Sequence, residues 1–429
     1  MGLGFLKTTV SPIAVDFGVS SLKVLQLSLS EMPTLVAAAG LDTPEELIEN
    51  DEGRLEWQAE MLPRLIKSAP FKGKRAICTV PATRTYVQHI PVPKVEGVEV
   101  KDAVAEQLRT LTGRAPGTLV YRQFEVGEVL RGGQKCLEVI VIAMPREVVL
   151  AHVKGLKRSH LECVGVHSDH LATVRAFDSI TRRVADADLT CLYVDLGYGT
   201  TKVMMSHGKQ LVFAKTIPIG GRHIDAAMAK EMDCTVAMAH KRRCSGANGG
   251  SWLGPTEGAA VAGVAPAPAT AAEQTGTIGG IKRLMNGRTP IGGGSAPAVD
   301  TEEDRRLGAT PAVACELADP APGEAAPARP SRVQETVEAL TDEIAMCLRY
   351  EQAIFPSRQV GRTIFVGGEA RQTDVCRAVA RALRLPAQVA DPMSRLKEGA
   401  QDRVTGIDEH TPQPGWTVPI GLCLLPTDF

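Results

Sequence analysis

The chain has 429 residues, enough for two or more domains with substantial cores. Its 48 Lys and Arg balance 49 Asp and Glu, which excludes a global field drawing it to nucleic acid or acidic lipid. Ten cysteines stand singly with no Cys-x-x-Cys pair and no signal peptide, a pattern of reduced cytoplasmic thiols, and no apolar run approaches the ~20 residues of a spanning helix, so membrane contact is expected only through a partner.

Ile13 to Leu27 sets the plan of the chain. An apolar strand carries Asp16 near its end, a turn holds Gly18, Ser20 and Ser21, and a second apolar strand leaves through Val24, Leu25 and Leu27. Thr34 to Gly40 predicts a third strand. Leu55, Leu62, Leu65 and Ile66 form a helical stripe, and Ala76 to Val80 gives another strand. This first lobe core is expected over residues 10–84.

From residue 85 the order becomes strand (Tyr86 to Ile90), helix (Val100 to Thr112), strands (Thr118 to Val126 and Cys136 to Ala143), helix (Arg146 to Ser159) and strand (Glu162 to His167). The turn Arg131-Gly132-Gly133-Gln134 joins the middle strands. Residues 85–170 therefore predict a split βαβ subdomain inserted in the first lobe. A helix from Leu171 to Val184 leads back, giving a return segment over 171–189.

A second lobe is expected over 190–244. Tyr193 to Ser206 repeats the opening plan, with Asp195, Gly197, Lys202 and Val203 matching Asp16, Gly18, Lys23 and Val24. The copies lie 179 residues apart, too far for a solenoid repeat, and so suggest two similar lobes that each offer a hairpin to one ligand. A strand at Gln210 to Ile217 and a helix from His223 to Met232 follow. In residues 245–330, 44 of 86 are Gly, Ala or Pro, a composition that buries too little apolar surface to order itself, so a disordered low-complexity insertion is expected. Its island at Thr277 to Arg288 is read as linker rather than docking motif. Residues 331–426 complete the second lobe: a helix from Arg332 to Phe355, a strand Thr363 to Val366 ending in Gly367-Gly368, a helix through Val379, a strand near Gln388 and a last helix from Trp416.

A Gly/Ser/Thr turn between strands presents backbone N–H groups and hydroxyls to phosphate oxygens, while a carboxylate at the strand end holds Mg²⁺ through water. One such turn is more often a plain hairpin. Two matched copies followed by a strand ending in Gly-Gly are more specific. His160, Cys163, His167 and His170 have zinc-like spacing, but alternate residues of a strand point to opposite faces, so a structural role is expected for them. The run His240-Lys241-Arg242-Arg243 reads as a solvated cluster, and Glu369 as an exposed loop acid.

These residues, in this order, resemble the actin-like ATPase superfamily, an α/β, two-lobed, ribonuclease H-like fold. Pro91-Val92-Pro93 before a helix, Val139 to Ala143, Leu161 to Val166, Ala172 to Arg175 and Ile219-Gly220-Gly221 make the inserted subdomain resemble that of the FtsA division proteins and, more closely, the PilM family of type IV pilus assembly proteins. The resemblance implies that Gly18, Ser20, Ser21 and Lys23 approach the phosphates of ATP from one lobe and Gly197, Gly199, Thr200 and Thr201 from the other. It places Asp16 and Asp195 near Mg²⁺, through water, and lets Gly367 and Gly368 close on the nucleoside. It also implies a cytoplasmic scaffold of a type IV pilus or type II secretion platform, peripheral to the inner membrane, that binds the tail of a PilN-like protein and forms homo-oligomers.

The sequence departs from that family where it usually has Ala-Glu-x-x-Lys after the Gly-Gly helix. Here Ala237-Met238-Ala239-His240-Lys241 lacks the acid. No residue that orients a water for hydrolysis is identified. Two other readings compete. An FtsA-like filament protein is expected to end in an amphipathic anchor, unlike Leu-Leu-Pro-Thr-Asp-Phe, and a small-molecule kinase of this fold needs a catalytic Asp and a polar substrate pocket.

Overall fold

Every residue of Ile13–Phe17 is buried, because this strand (β1) sits mid-sheet with helices on both faces. Ile13 and Val15 point into a layer built by Leu62, Leu65 and Leu156, whereas Ala14 points into the opposite layer with Trp416, Ile420 and Leu422. Each large aliphatic side chain so buried contributes about 1.5–3 kcal/mol relative to exposure. The computed structural model describes residues 10–29, 33–94, 99–178, 188–245, 265–266, 331–394, 396, 404–405 and 411–427. They belong to a compact unit of residues 1–268 and 330–429.

The first lobe sheet joins β1 to β2 (Ser21–Ser28) and β3 (Thr34–Asp42) in an antiparallel meander. Strand β4 (Arg75–Val80) lies parallel to β1, beyond α1 (Asp51–Lys67). The inserted subdomain is the three-stranded sheet β5 (Tyr86–Pro93), β7 (Gln134–Pro145), β6 (Leu119–Arg131), with α2 (Val100–Thr112) on one face. Helix α3 (Arg146–Arg158) and β8 (Glu162–Ser168) then return to the first lobe, where β8 runs parallel to β4. The split βαβ unit expected over 85–170 is thus cut short. Periodicity identifies α3 and β8 but is silent about which sheet edge they join. Helix α4 (Asp169–Arg175) ends well before Val184, and residues 179–187 lie outside the described residues.

The second lobe repeats the first. An antiparallel meander of β9 (Thr190–Leu196), β10 (Thr201–His207) and β11 (Gln210–Ile217) is followed, beyond α5 (Gly221–Met232) and α6 (Val236–Ser245), by β12 (Ala265–Pro266). Then come α7 (Arg332–Ile354), β13 (Val360–Val366) parallel to β9, α8 (Thr373–Leu383) and β14 (Ala387–Val389) parallel to β13. Strand β12 pairs with β14 inside the stretch expected to be disordered; the rest of that insertion, Thr277 to Arg288 included, lies outside the described residues. Strand β15 (Val404–Thr405) edges the first sheet beside β3, and α9 (Thr417–Cys423) crosses α4. A Cβ on Gly421 would overlap the Ala172 carbonyl, so glycine sets how closely those two helices approach.

Candidate functional site

The two hairpins have the same register. Asp16 faces Lys23 across β1–β2, and Asp195 faces Lys202 across β9–β10. In each, the glycine two residues after the aspartate closes a tight turn: a Cβ would stand 2.8 Å from the Ser21 carbonyl at Gly18 and 2.7 Å from the Thr200 carbonyl at Gly197. The turns meet tip to tip, since a Cβ on Gly199 would lie 3.2 Å from Val19 Cγ2.

Different elements brace the two turns. Gln58 of α1 donates to the Gly18 carbonyl at 2.8 Å, and the Thr79 hydroxyl donates to Asp16 at 3.2 Å. On the other side, the N–H groups of Gly221 and Arg222, at the start of α5, donate to the Gly197 and Tyr198 carbonyls at 3.1 and 2.9 Å. Gly367 has φ +89°, a conformation side chains rarely adopt, and a Cβ there would overlap Asp195 Oδ1 and the Leu196 carbonyl. Gly368 is different: its Cβ would meet open space.

Between the tips lies a chamber of about 80 Å³ lined by Asp16, Lys23, Asp169, Asp195 and Lys202. It shares Ser20, Ser21, Lys23, Tyr198 and Gly368 with a cleft of about 1290 Å³ that runs between the lobes past Trp416 and Lys241. That volume exceeds the usual ~300–1,000 Å³ of a small-molecule site. Gly18, Gly197, Gly199 and Thr200 also line the chamber, so the structure gathers almost all the residues singled out from sequence; Thr201, on the first residue of β10, is fully buried just behind it with an unpartnered hydroxyl.

The lysines behave unlike one another. Lys202 Nζ lies 2.8 Å from Asp195 and 3.2 Å from Asp169, the first residue of α4. Burial favours loss of its proton, but Asp195 and then Asp169 more than reverse this and hold it above the ordinary lysine range. Lys23 makes no ion pair within 4 Å among the described residues, and burial lowers its pKa, an effect only partly offset by Asp16 and Asp195. Burial pushes the Asp16 carboxyl up to about 6, against the pull of Lys23.

The chamber's carboxylates are only partly engaged. Asp195 Oδ2 is taken by Lys202 and, at 3.4 Å, by the Thr173 hydroxyl, whereas Asp169 Oδ1 is buried with no hydrogen-bond partner among the described residues. Among the described residues no three His, Cys, Asp or Glu side chains form a metal-holding group. The His160 to His170 series is dispersed: His167 meets the Pro426 carbonyl, His170 meets Thr216, and Cys163 lies beside the Gly165 carbonyl.

The basic run needs correction. Arg243 is fully buried, with its guanidinium 2.6 Å from Asp225 of α5 and 2.5 Å from Glu369, and His240 stands 2.8 Å from Asp225. Glu369 is accordingly no exposed loop acid; its side chain is 15% exposed. This network ties α6 to the Gly367–Gly368 loop, and Tyr198 at the hairpin tip packs edge-on against His240, 5.2 Å between centroids.

Two sheets with one topology, each giving a glycine turn to a shared interlobe cleft, define a protein of the actin-like ATPase fold. The match to the family described as type IV pilus assembly protein PilM extends over residues 14–252, more than half the chain, and the protein belongs to that family. It is similar over 96% of its length to 98% of a solved chain from a "PilM-PilN type IV pilus biogenesis complex", with TM-score 0.61 and 14% identity, a likeness of fold. Ethanolamine utilization protein EutJ from Carboxydothermus hydrogenoformans matches with TM-score 0.43 and 13% identity, covering 98% of this chain and 90% of that one. The activator of the 2-hydroxyisocaproyl-CoA dehydratase from Clostridium difficile, with bound ADPNP, matches with TM-score 0.37 and 10% identity, covering 96% and 93%. Among the described residues no helix is long and apolar enough to cross a membrane.

Proposed function

We propose that this type IV pilus assembly protein is a cytoplasmic scaffold that holds a nucleotide such as ATP between its lobes and the tail of a PilN-like inner-membrane protein beside its inserted subdomain. The observation that carries the nucleotide half is the convergence of both glycine turns and Gly367–Gly368 on one cleft. Gly18, Ser20, Ser21 and Lys23 meet the phosphates from one side and Gly197, Gly199 and Thr200 line the other, backed by the buried Thr201, while Gly368 leaves room for the nucleoside. Phosphoryl groups are held here mainly by positioned donors and charge. The partner half is supported by the PilM–PilN complex with this fold and by apolar side chains left exposed on the subdomain, Leu111, Val120 and Leu130. Nucleotide that shifts the lobes would bias the tail through the subdomain.

Gly368→Phe tests the cleft, because a Cβ there has nothing within 4 Å and the ring is added at the cleft wall. The expected outcome is loss of ATP binding by at least tenfold in calorimetry with thermal stability unchanged. Unaltered binding would place the nucleotide elsewhere. Capture of a PilN-like tail peptide by wild type, weakened by Leu130→Asp, is the matching result for the partner.

A further inference from the structure

Helix α6 carries a cluster of groups that nucleotide binding does not use. His240 and Cys244 stand one helical turn apart, so their side chains share a face. The Cys244 sulfur lies 3.6 Å from His240 Nε2 and 3.9 Å from Nδ1, and the same ring meets Asp225 Oδ2 at 2.8 Å through Nδ1. Asp225 is pinned in turn, because the Arg243 guanidinium holds both its oxygens, at 2.6 and 3.1 Å, and reaches Glu369 as well. A nucleophile beside an imidazole that a buried carboxylate orients is an arrangement that activates a side chain for covalent chemistry. The cluster is also accessible: among the nine described cysteines Cys244 alone is exposed, and with His240 it lines the interlobe cleft.

The acids of that cleft, Glu45, Glu46 and Glu49 among them, belong to its first-lobe wall, whereas the second-lobe wall around Cys244 carries Lys241 and Arg222. Arg222 reaches Glu49 at 3.3 Å with one nitrogen but keeps its Nε buried and without a hydrogen-bond partner among the described residues. Hydrogen bonds to Asp225 and then Cys244 raise His240 to about 10, so its ring is a cation at neutral pH. Thiol–disulfide exchange proceeds through a thiolate, whose charge an imidazolium complements.

We propose that Cys244 is a modification site that takes up a small anionic disulfide of the glutathione class, and that the mixed disulfide closes the cleft to nucleotide. The Cys244 sulfur attacks one sulfur of the disulfide and is oxidised; the old sulfur–sulfur bond breaks, and the second glutathione leaves reduced, with the bonding pair and the proton that Cys244 gives up. The attached tripeptide then lies against the wall that Tyr198 and His240 build, in the volume that continues past Gly368 to the phosphate chamber. The modification stands without the nucleotide reading; only the closing of the cleft rests on it.

Two measurements on the full chain decide it. In the first, the folded chain is incubated with glutathione disulfide and followed by intact mass and peptide mapping. One adduct is expected, on Cys244, forming at least tenfold faster in wild type than in His240→Gln and absent in Cys244→Ser. No adduct, an adduct on another cysteine, or an equal rate in a folded His240→Gln would overturn the site. In the second, a fluorescent ATP analogue is titrated into unmodified and modified wild type. The modified chain is expected to bind at least tenfold more weakly, dithiothreitol to restore the affinity, and saturating analogue to slow formation of the adduct by a similar factor. Equal affinity before and after modification would overturn the closing of the cleft. This arm needs no variant, so it decides even if His240→Gln does not fold. If the analogue does not bind the unmodified chain, the nucleotide reading fails, while the adduct and its position still decide the thiol.

Discussion

Opposite Asp16 the first hairpin places Lys23, and opposite Asp195 the second places Lys202, so sequence and register make the two lobes near copies at this point. Their surroundings separate them. The second hairpin is locked by Lys202 to Asp195 and Asp169, by the amides of α5 and by the Gly367 loop, which Arg243 ties to α6. The first is held by Gln58 and Thr79 and leaves its lysine facing the cleft. A duplicated motif has thus divided its work, one copy acting as a rigid wall and the other as an open ligand-facing edge.

Breaking the comparison at the lysines has the largest expected effect. Lys202→Met strands two buried carboxylates and is expected to cost about 3–5 kcal/mol in denaturant titrations. Lys23→Met removes a cation whose charge burial already disfavours and which makes no ion pair within 4 Å among the described residues, so stability is expected to change by less than about 1 kcal/mol as nucleotide affinity falls. Equal losses in the two variants would erase the distinction between the hairpins. Next come the paired glycines. Gly367→Ala strains a positive-φ position against Asp195 and is expected to cost at least about 1–3 kcal/mol, whereas Gly368→Ala stays within about 0.5 kcal/mol. The smallest effect is a pH dependence on the braced side. Hydrogen bonds to Asp225 and then Cys244 raise His240 to about 10, above its unfolded value near 6.5. Its stabilising contribution is therefore complete below pH 6.5 and fades as pH rises toward 10. Thermal melts across that window should show wild type losing its advantage over His240→Gln, and parallel curves would remove His240 from the brace.

Local signals made the hairpins readable, because an aspartate, a turn glycine and alternating apolar residues are fixed by neighbours in sequence. The repeated order of strands then indicated two lobes. What sequence left hidden depends on distant partners. Arg243 reads as one of four solvated basic residues until Asp225, 18 positions away, and Glu369, 126 positions away, are brought to its guanidinium. Asp169 carries no motif of its own and gains its role only where α4 meets β10. Lys202 was visible as the match of Lys23, and a strand register that sets it opposite Asp195 was the available sign of its pairing. The place of β8 in the first sheet, with α3 packed beside it, had no such sign, since its periodicity fits either sheet equally.

Calorimetric titration of ATP with Mg²⁺ into the wild-type chain, repeated on Gly368→Phe, tests the central claim most directly. Saturable binding of one nucleotide that Gly368→Phe weakens at least tenfold is the predicted result. Binding that Gly368→Phe leaves unaltered, or no heat from the wild type, would contradict the nucleotide cleft.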